Sequence, residues 1–267
     1  MRVTGPSESH NKHRRPFSKQ VQDVIRISDV ILETIDARFI KESRIPELEE
    51  MIKEQGKMLI HVVNKIDLLS KKYLDENKLK DLSYPILIST KTRQGISKLR
   101  ERIHILSKKF KDHANVHVGV IGYPNTGKST LISIMARRAA APSSKQAGFT
   151  KSIRKIRFAK GILLLDAPGI VQSKENLFVG HEDLKKHALL GVHVPETVRN
   201  PEFIVSEIMK LHPGRLEKKY GVDAEEDPEV LFEHLGKKWN FLKKKGLVDI
   251  DRVSRRILKD WQEAKAY

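Results

Sequence analysis

Six short apolar runs rich in β-branched residues alternate with helical or polar stretches along the first two thirds of the chain. They are Val30–Ile35, Met58–Val63, Pro85–Ile88, His117–Ile121, Ile153–Phe158 and Ile162–Leu165. This alternation is typical of an α/β protein, in which helices cover both faces of a mostly parallel sheet. Helical patterns such as Ile45–Gln55 and Gly95–Phe110 lie between the runs. The last two runs are separated by only three residues, which predicts an antiparallel hairpin at one edge of the sheet.

After Gly169 the strand signals stop and helix start and stop signals replace them. Asn200 with Pro201, and Asp227 with Pro228, are typical N-cap and first-turn pairs. In the last helix, an apolar stripe is predicted to pack in the core; it comprises Val253, Ile257, Leu258 and Trp261. We therefore predict a basic N-terminal arm over residues 1–20, an α/β domain over 21–179 and a small all-helical domain over 180–267.

The composition excludes several classes of protein. Hydrophobic residues make up 39% of the 267 residues, which indicates a folded globular chain. No apolar run approaches the ~18 residues that a membrane-spanning helix needs, and the start of the chain does not resemble a signal peptide. The absence of cysteine excludes disulfides and thiolate chemistry and is consistent with a reducing compartment. We expect a cytoplasmic protein without a membrane partner.

The charge indicates a polyanionic partner. The chain has 51 Lys and Arg against 34 Asp and Glu, a net charge of +17. Between Arg137 and Lys160 there are eight basic residues and no acidic one, which favours contact with a phosphate backbone over a solvated basic face. In the last helix, Arg252, Arg255, Arg256 and Lys259 form a second basic row. For this row, RNA contact and solvated surface are equally good interpretations.

The sequence GYPNTGKST fits a phosphate-binding loop, because Gly122, Gly127, Lys128 and Ser129 match GxxxxGKS between an apolar strand and a helix. Glycines allow backbone N–H groups to surround phosphates, and the helix N-terminus adds its positive end. Lys128 would reach the β and γ phosphates, and the Ser129 hydroxyl would bind Mg²⁺. Nucleotide contacts of this loop are assigned to Asn125, Thr126, Gly127, Lys128, Ser129 and Thr130.

A second motif, NKID, follows the strand that ends at Val63 and would recognise the base. The Asp67 carboxylate can accept hydrogen bonds from two N–H donors of guanine, an arrangement that adenine does not offer. Asn64 can connect this loop to the phosphate-binding loop, while the stem of Lys65 lies along the base plane. After the third strand, the backbone N–H groups of Ser89, Thr90 and Lys91 could donate to the guanine O6.

The third motif is DAPG at the end of the sixth strand. Asp166 can hold Mg²⁺ through water, and the Gly169 N–H can contact the γ-phosphate. Thr150, between the phosphate-binding loop and DAPG, is a candidate second hydroxyl ligand of Mg²⁺.

Together these motifs resemble those of a TRAFAC-class GTPase, but the base-reading motifs precede the phosphate-binding loop along the chain. This order is similar to that of the circularly permuted GTPases, and in particular the YlqF/RbgA-like family of ribosome-biogenesis GTPases. That family also places Asp-Ala-Arg at the end of the first strand, here Asp36, Ala37 and Arg38. The resemblance implies a circularly permuted P-loop GTPase domain followed by a helical, RNA-binding domain.

The resemblance also implies cofactors and catalytic residues. The position of the usual water-orienting glutamine is occupied by Ile170, as in the family, whose members use K⁺ held in part by the residue corresponding to Asn125. The cofactors would be GTP or GDP, Mg²⁺ and K⁺, with Lys128, Thr150 and Gly169 in the catalytic site. A family histidine near the N-terminus corresponds by spacing to His13, in a basic context that favours a flexible arm.

The expected function is that of a monomeric GTPase that binds ribosomal RNA, assists maturation of the large ribosomal subunit and is stimulated by the ribosomal particle. One alternative is a GTP-dependent RNA-binding scaffold in which hydrolysis is incidental. Another is a GTPase that acts on transfer RNA or the small subunit. We further hypothesise that residues 170–180 couple the γ-phosphate to the angle between the two domains.

Overall fold

The computed structural model describes residues 19–69, 79–136, 153–166, 188–191 and 195–263. It contains one six-stranded sheet, whose strands are β1 (Val30–Asp36), β2 (Met58–Asn64), β3 (Ile86–Leu87), β4 (Val116–Gly122), β5 (Arg154–Ala159) and β6 (Ile162–Asp166). The spatial order is β3-β2-β1-β4-β6-β5. Five strands are parallel, and β5 pairs antiparallel with β6, so the predicted sheet and edge hairpin are confirmed.

Helices occupy the connections and the C-terminal part of the described chain. Their bounds are α1 (Lys19–Ile27), α2 (Ile40–Ser43), α3 (Pro46–Glu54), α4 (Ile96–Ser107), α5 (Lys128–Ala136), α6 (Pro201–Leu211), α7 (Arg215–Tyr220), α8 (Pro228–Lys238) and α9 (Ile250–Gln262). Among them, none combines the length and apolar character needed to cross a membrane. Helix α1 spans Lys19–Ile27 and so includes the last two residues of the basic arm that was predicted over residues 1–20.

The starts of the C-terminal helices follow from local sequence. Asp227 caps α8 by accepting a hydrogen bond from the backbone N–H of Glu229 at 2.7 Å, and Pro228 occupies the first turn. Asn200 precedes α6 at the predicted position, but it adopts a left-handed conformation and its side chain does not cap the helix. The proline in the first turn of α6 therefore defines that helix start without a side-chain cap.

Each face of the sheet is covered by its own hydrophobic cluster. On one face, α4 and α5 pack against the strands. On the other face, α1 and α3 pack in a cluster that continues into α6, α8 and α9. The predicted stripe of α9 is buried in that cluster. The C-terminal helices thus share a core with the sheet rather than forming a separate one.

The edge strand β5 carries part of the basic run seen in the sequence. Arg154, Lys155, Arg157 and Lys160 are exposed on this strand and its turn, while Arg137, Arg138, Lys145 and Lys151 lie outside the described residues. Positive charge on an edge strand also opposes pairing with the edge of another sheet. Phosphate contact by this run stays a prediction.

Gly119, in the central strand β4, lies where α1 and the residue that follows it come close to the sheet. A Cβ atom at this position would lie 2.5 Å from the Ser28 hydroxyl oxygen and 2.8 Å from Cγ1 of Val24. We therefore expect Gly119→Ala to lower the free energy of unfolding by about 1–3 kcal/mol, the usual cost of overpacking. Urea unfolding would measure this change.

The control for this substitution is Lys98→Ala on the exposed side of α4. A surface change of this kind should alter the free energy of unfolding by less than about 0.5 kcal/mol. Equal stability of the Gly119→Ala variant and the original chain would contradict the close packing of α1.

Candidate functional site

The loops after the parallel strands come together at one edge of the sheet. Register pairs place Asp36 beside Asn64, Thr34 beside Gly122, and Val120 beside Asp166. The chain leaves β1 toward β2 on one side, and β4 lies on the other side of β1. In open α/β sheets, ligands bind in the crevice outside such a switch point. The motifs that are far apart in sequence therefore lie around one crevice.

The loop between β4 and α5 requires glycine for two reasons. Gly122 and Gly127 have φ angles of 140° and 99°, in the region that side chains disfavour. A Cβ at Gly122 would lie 2.4 Å from Oγ1 of Thr34, and one at Gly127 would lie 2.2 Å from Nδ2 of Asn64. The glycines thus give the loop its curvature and allow it to approach the neighbouring loops closely.

Lys128 at the start of α5 is a buried cation. Its side chain donates to the carbonyl of Tyr123 at 2.6 Å, and it forms no salt bridge within the described residues. Burial lowers the pKa of Lys128 to about 8, although the charge of Asp166 opposes the decrease. Ser129 and Thr130 are exposed in the same first helical turn. A buried ammonium beside helix N–H groups suits a phosphate group.

Asp166 ends β6 beside the strand that leads into the phosphate-binding loop. Burial raises the pKa of its carboxyl group, while the charges of Lys128 and Arg154 counteract the increase. The Asp166 carboxylate and the Ser129 hydroxyl are oxygen donors, the ligand type that Mg²⁺ prefers. These two residues fit the predicted cation chemistry.

The side-chain amide of Asn64 connects three loops. It is completely buried, its Nδ2 donates to the Thr126 carbonyl at 2.8 Å, and its Oδ1 accepts from the Thr90 backbone N–H at 3.0 Å. Below the same loop, the hydroxyl oxygens of Thr34 and Thr126 lie 2.8 Å apart. The predicted connection between NKID and the phosphate-binding loop is present in the structure, and Thr34 is a supporting residue that the motifs did not indicate.

Asp67 is exposed at the mouth of the crevice, and its orientation is set by Ser89. The Ser89 hydroxyl donates to Oδ1 of Asp67 at 2.6 Å and accepts from the Thr92 backbone N–H at 3.0 Å. The carboxylate is therefore held by its neighbour in the third loop while it remains open to solvent.

The prediction for the Ser89, Thr90 and Lys91 backbone N–H groups needs correction. The Ser89 N–H donates to the Gln94 carbonyl, and the Thr90 N–H donates to Asn64, both at 3.0 Å. The loop turns back on itself after Ser89, so the Ser89 and Thr90 N–H groups are used within the protein. Of the three N–H groups, that of Lys91 alone has no acceptor within the described residues. Lys91 is therefore the member of this group that suits a ligand.

Lys65 lies in a left-handed conformation, with φ 68°, and its ammonium contacts the buried Asp36 carboxylate at 2.8 Å. Arg38 also binds Asp36 with two hydrogen bonds of 2.9 and 2.7 Å. Burial by itself would raise the pKa of Asp36, but the charges and hydrogen bonds of Arg38 and Lys65 lower it to about 2. The spacing of motifs alone did not indicate this ionic network.

Several predicted residues are not tested by this geometry. His13, Thr150, Gly169, Ile170 and the segment 170–180 lie outside the described residues. Asn125 is described: it is exposed, and its Nδ2 donates to the carbonyl of Gly191. Its binding of K⁺ stays a prediction.

Comparison with known proteins agrees with this arrangement. The MMR_HSR1 family model, described as a 50S ribosome-binding GTPase, matches residues 117–219. An uncharacterized GTP-binding protein of Methanocaldococcus jannaschii is 35% identical over 251 residues, which cover 94% of this chain and 66% of that protein. Ribosome biogenesis GTPase A of Bacillus cereus is 28% identical over 271 residues, which cover 95% of this chain and 89% of that protein.

A solved structure has the same fold. GNP-bound YlqF from T. maritima superposes with a TM-score of 0.62 at 22% identity, covering 92% of this chain and 93% of that chain. Several curated relatives are longer than this chain, which spans 40 to 66% of their length.

The low pKa of Lys128 predicts how phosphate affinity depends on pH. A bound phosphate favours the ammonium form, so binding raises the Lys128 pKa and affinity is lost as the pH rises above about 8. We expect GDP to bind about fourfold more weakly at pH 8.5 than at pH 7, with proton uptake at the higher pH. Titration calorimetry in two buffers of different ionisation heat would measure both.

Lys128→Arg is the matched control, because arginine stays charged throughout this range. Its GDP affinity should not depend on pH. Equal affinity of the unsubstituted chain at both pH values, without proton uptake, would contradict a role for the buried Lys128 amine in phosphate binding.

Proposed function

Because the chain belongs to the family of circularly permuted GTPases, we propose that it binds and hydrolyses GTP as an RNA-associated assembly factor of the large ribosomal subunit. The relatives named ribosome biogenesis GTPase A, and the 50S ribosome-binding description of the family model, support the ribosomal part of this proposal. The residues of the crevice support the nucleotide part.

One observation carries the proposal most directly. The Asn64 amide joins the phosphate-binding loop to the loop that carries Asp67, so that Lys128 and Asp67 line one crevice. A ligand that satisfies both must have phosphates at one end and two adjacent N–H donors at the other. Guanosine triphosphate has these features.

Each remaining site residue has a role under this proposal. Lys128 and the Gly169 N–H position the phosphates, while Asp67, Lys65 and the Lys91 N–H bind the base. Ser129, Thr150 and Asp166 hold Mg²⁺, which supplies charge neutralisation when bound. Asn125 contributes a K⁺ ligand. Because Ile170 offers no hydrogen-bonding group to orient water, the ribosomal particle completes the catalytic site.

Two arginines of α9 form a surface that suits RNA. The guanidinium of Arg252 lies 4.1 Å from the ring centre of Phe241, and that of Arg256 lies 4.3 Å from the ring centre of Trp239. Neither guanidinium donates a hydrogen bond within the described residues, so both keep their N–H groups for phosphate. Arg255, in contrast, binds Asp251 with two hydrogen bonds of 2.7 and 2.8 Å.

Other exposed lysines extend this surface. They are Lys237, Lys238, Lys243, Lys244 and Lys245, at the end of α8 and in the turn before α9. Aromatic rings beneath stacked arginines, surrounded by lysines, are typical of nucleic-acid binding. We therefore assign RNA contact to Arg252 and Arg256 and not to Arg255.

The proposed activity is tested by GTP turnover in potassium and in sodium buffer, each with and without purified large ribosomal subunits. We expect potassium and subunits together to raise the rate by at least about 100-fold, which corresponds to about 2.7 kcal/mol of barrier. The physical reason is that an external partner replaces the missing water-orienting group.

Other outcomes favour the alternatives. Binding of subunits in the GTP state without faster turnover would favour the scaffold function, which the Ile170 position motivates. Stimulation by small subunits or transfer RNA, and not by large subunits, would favour a different RNA target. Absence of binding and of stimulation would contradict the ribosomal function.

The proposed RNA surface is tested by the double variant Arg252→Gln/Arg256→Gln. Loss of two phosphate contacts should weaken binding to a ribosomal RNA fragment and reduce the slope of log affinity against log salt by about 1.4 to 1.8. Filter binding across a series of salt concentrations would measure the slope.

The matched control is Lys108→Gln/Lys109→Gln, which removes the same charge from exposed residues after α4 on the opposite face of the sheet. This control should change the slope little. Equal losses in both double variants would show that only net charge matters, and would exclude a specific surface on α9.

A further inference from the structure

A continuous set of buried polar contacts joins the base-binding loop to the last helix. Lys65 contacts Asp36 at 2.8 Å, and Arg38 binds the same carboxylate through Nε and Nη2. The remaining Nη1 of Arg38 donates to the Trp261 backbone carbonyl at 2.9 Å. The side chains of Asp36 and Arg38 are each only 2% exposed. Solvent therefore screens the electrostatic interactions between these charged groups only weakly.

Arg38 is placed where α9 favours a cation. Trp261 lies in the last turn of α9, where backbone carbonyls lack helical partners and carry partial negative charge. The Arg38 guanidinium also lies 5.4 Å from the ring centre of Phe39 and 5.8 Å from that of Trp261. Trp261 is completely buried, so the end of α9 is docked directly on the loop after β1.

The end of α9 is linked to the phosphate-binding loop through the short segment 188–191. Gln262 donates to the Ala188 carbonyl at 3.1 Å, and Asn125 of the loop donates to Gly191 in the same short segment. A further contact joins Arg215 of α7 to the carbonyl of Leu68, one residue after Asp67, at 2.9 Å. The C-terminal helices thus contact the base side of the crevice directly and are linked to the phosphate side through segment 188–191.

Lys65 needs external support for its conformation. A lysine with φ 68° is strained, because the left-handed region disfavours a side chain. The ion pair with Asp36 fixes the far end of the Lys65 side chain. Arg38 in turn fixes the orientation of the Asp36 carboxylate through its planar pair of hydrogen bonds.

We propose that Asp36 and Arg38 are positioning residues that set Lys65 for contact with the guanine base, and that through them base binding and docking of α9 strengthen each other. This inference rests on the proposed function, because it requires a guanine nucleotide in the crevice. Thermodynamic reciprocity then requires that nucleotide binding stabilises the docked α9, which carries Arg252 and Arg256. The base-binding loop thus controls the presentation of the RNA surface.

The first test is a double-mutant cycle of Arg38→Gln and Lys65→Met, with the affinity for GDP measured by titration calorimetry. We expect Arg38→Gln to weaken GDP binding by about 5- to 20-fold, a typical size for coupled sites. In the Lys65→Met background, Arg38→Gln should weaken GDP binding less than twofold further, because Arg38 acts through Lys65. Additive effects would indicate general damage to the structure and would overturn the inference.

Arg255→Gln is the matched control. Arg255 also lies on α9, binds a carboxylate with two hydrogen bonds and donates to the Val198 carbonyl at 3.2 Å, but it does not contact the base loop. Its GDP affinity should stay within twofold of the original. If Arg38→Gln does not fold by circular dichroism, Arg38→Lys keeps the charge without the fork and should give an intermediate loss.

The second test follows α9 itself. In a Trp239→Phe background, Trp261 is the only tryptophan, and GDP should change its fluorescence. Adding Arg38→Gln should abolish this change at saturating GDP. A fluorescence change that persists would overturn the inference. Failure of the original chain to bind GDP at all would contradict the proposed function, whereas binding without the coupling contradicts only this inference.

Discussion

The buried amide of Asn64 is the interaction on which the crevice depends. Its Nδ2 donates a hydrogen bond to the phosphate-binding loop, and its Oδ1 accepts one from the third loop. Gly127 can approach it only because glycine has no Cβ. Leaving a buried carbonyl and a buried N–H without partners is costly, so these loops keep one arrangement relative to each other. The geometry of a site for both base and phosphates follows from that restriction.

The permuted order of the motifs changes the chain path and preserves the sheet. The base-reading loops come from β2 and β3, and the phosphate-binding loop comes later, from β4, yet parallel strands bring all their carboxyl ends to one edge. The C-terminal helices then pack on one face, in the same hydrophobic cluster as α1 and α3. The shared core explains why contacts from α7 and α9 reach the crevice.

Four arginines within the described part of the chain illustrate three different environments. Arg38 is buried between a carboxylate and a helix C-terminus, and its guanidinium forms hydrogen bonds with both. Arg255 is bound to a neighbouring carboxylate on its own helix. Arg252 and Arg256 stack on aromatic rings and keep their donors exposed to solvent. The same side chain therefore holds the structure together in one place and offers a phosphate contact in another.

The sequence by itself determined the six strands, the hairpin, the Asp227 cap, the buried stripe of α9 and the motifs around the crevice. These features depend on residues close together in the chain, through periodicity, capping and loop chemistry. Only the tertiary structure decided that the Ser89 and Thr90 N–H groups are used internally, and that Arg38 meets Trp261, 223 residues later. Such partners depend on how distant elements pack, and no local pattern in the chain specifies that packing.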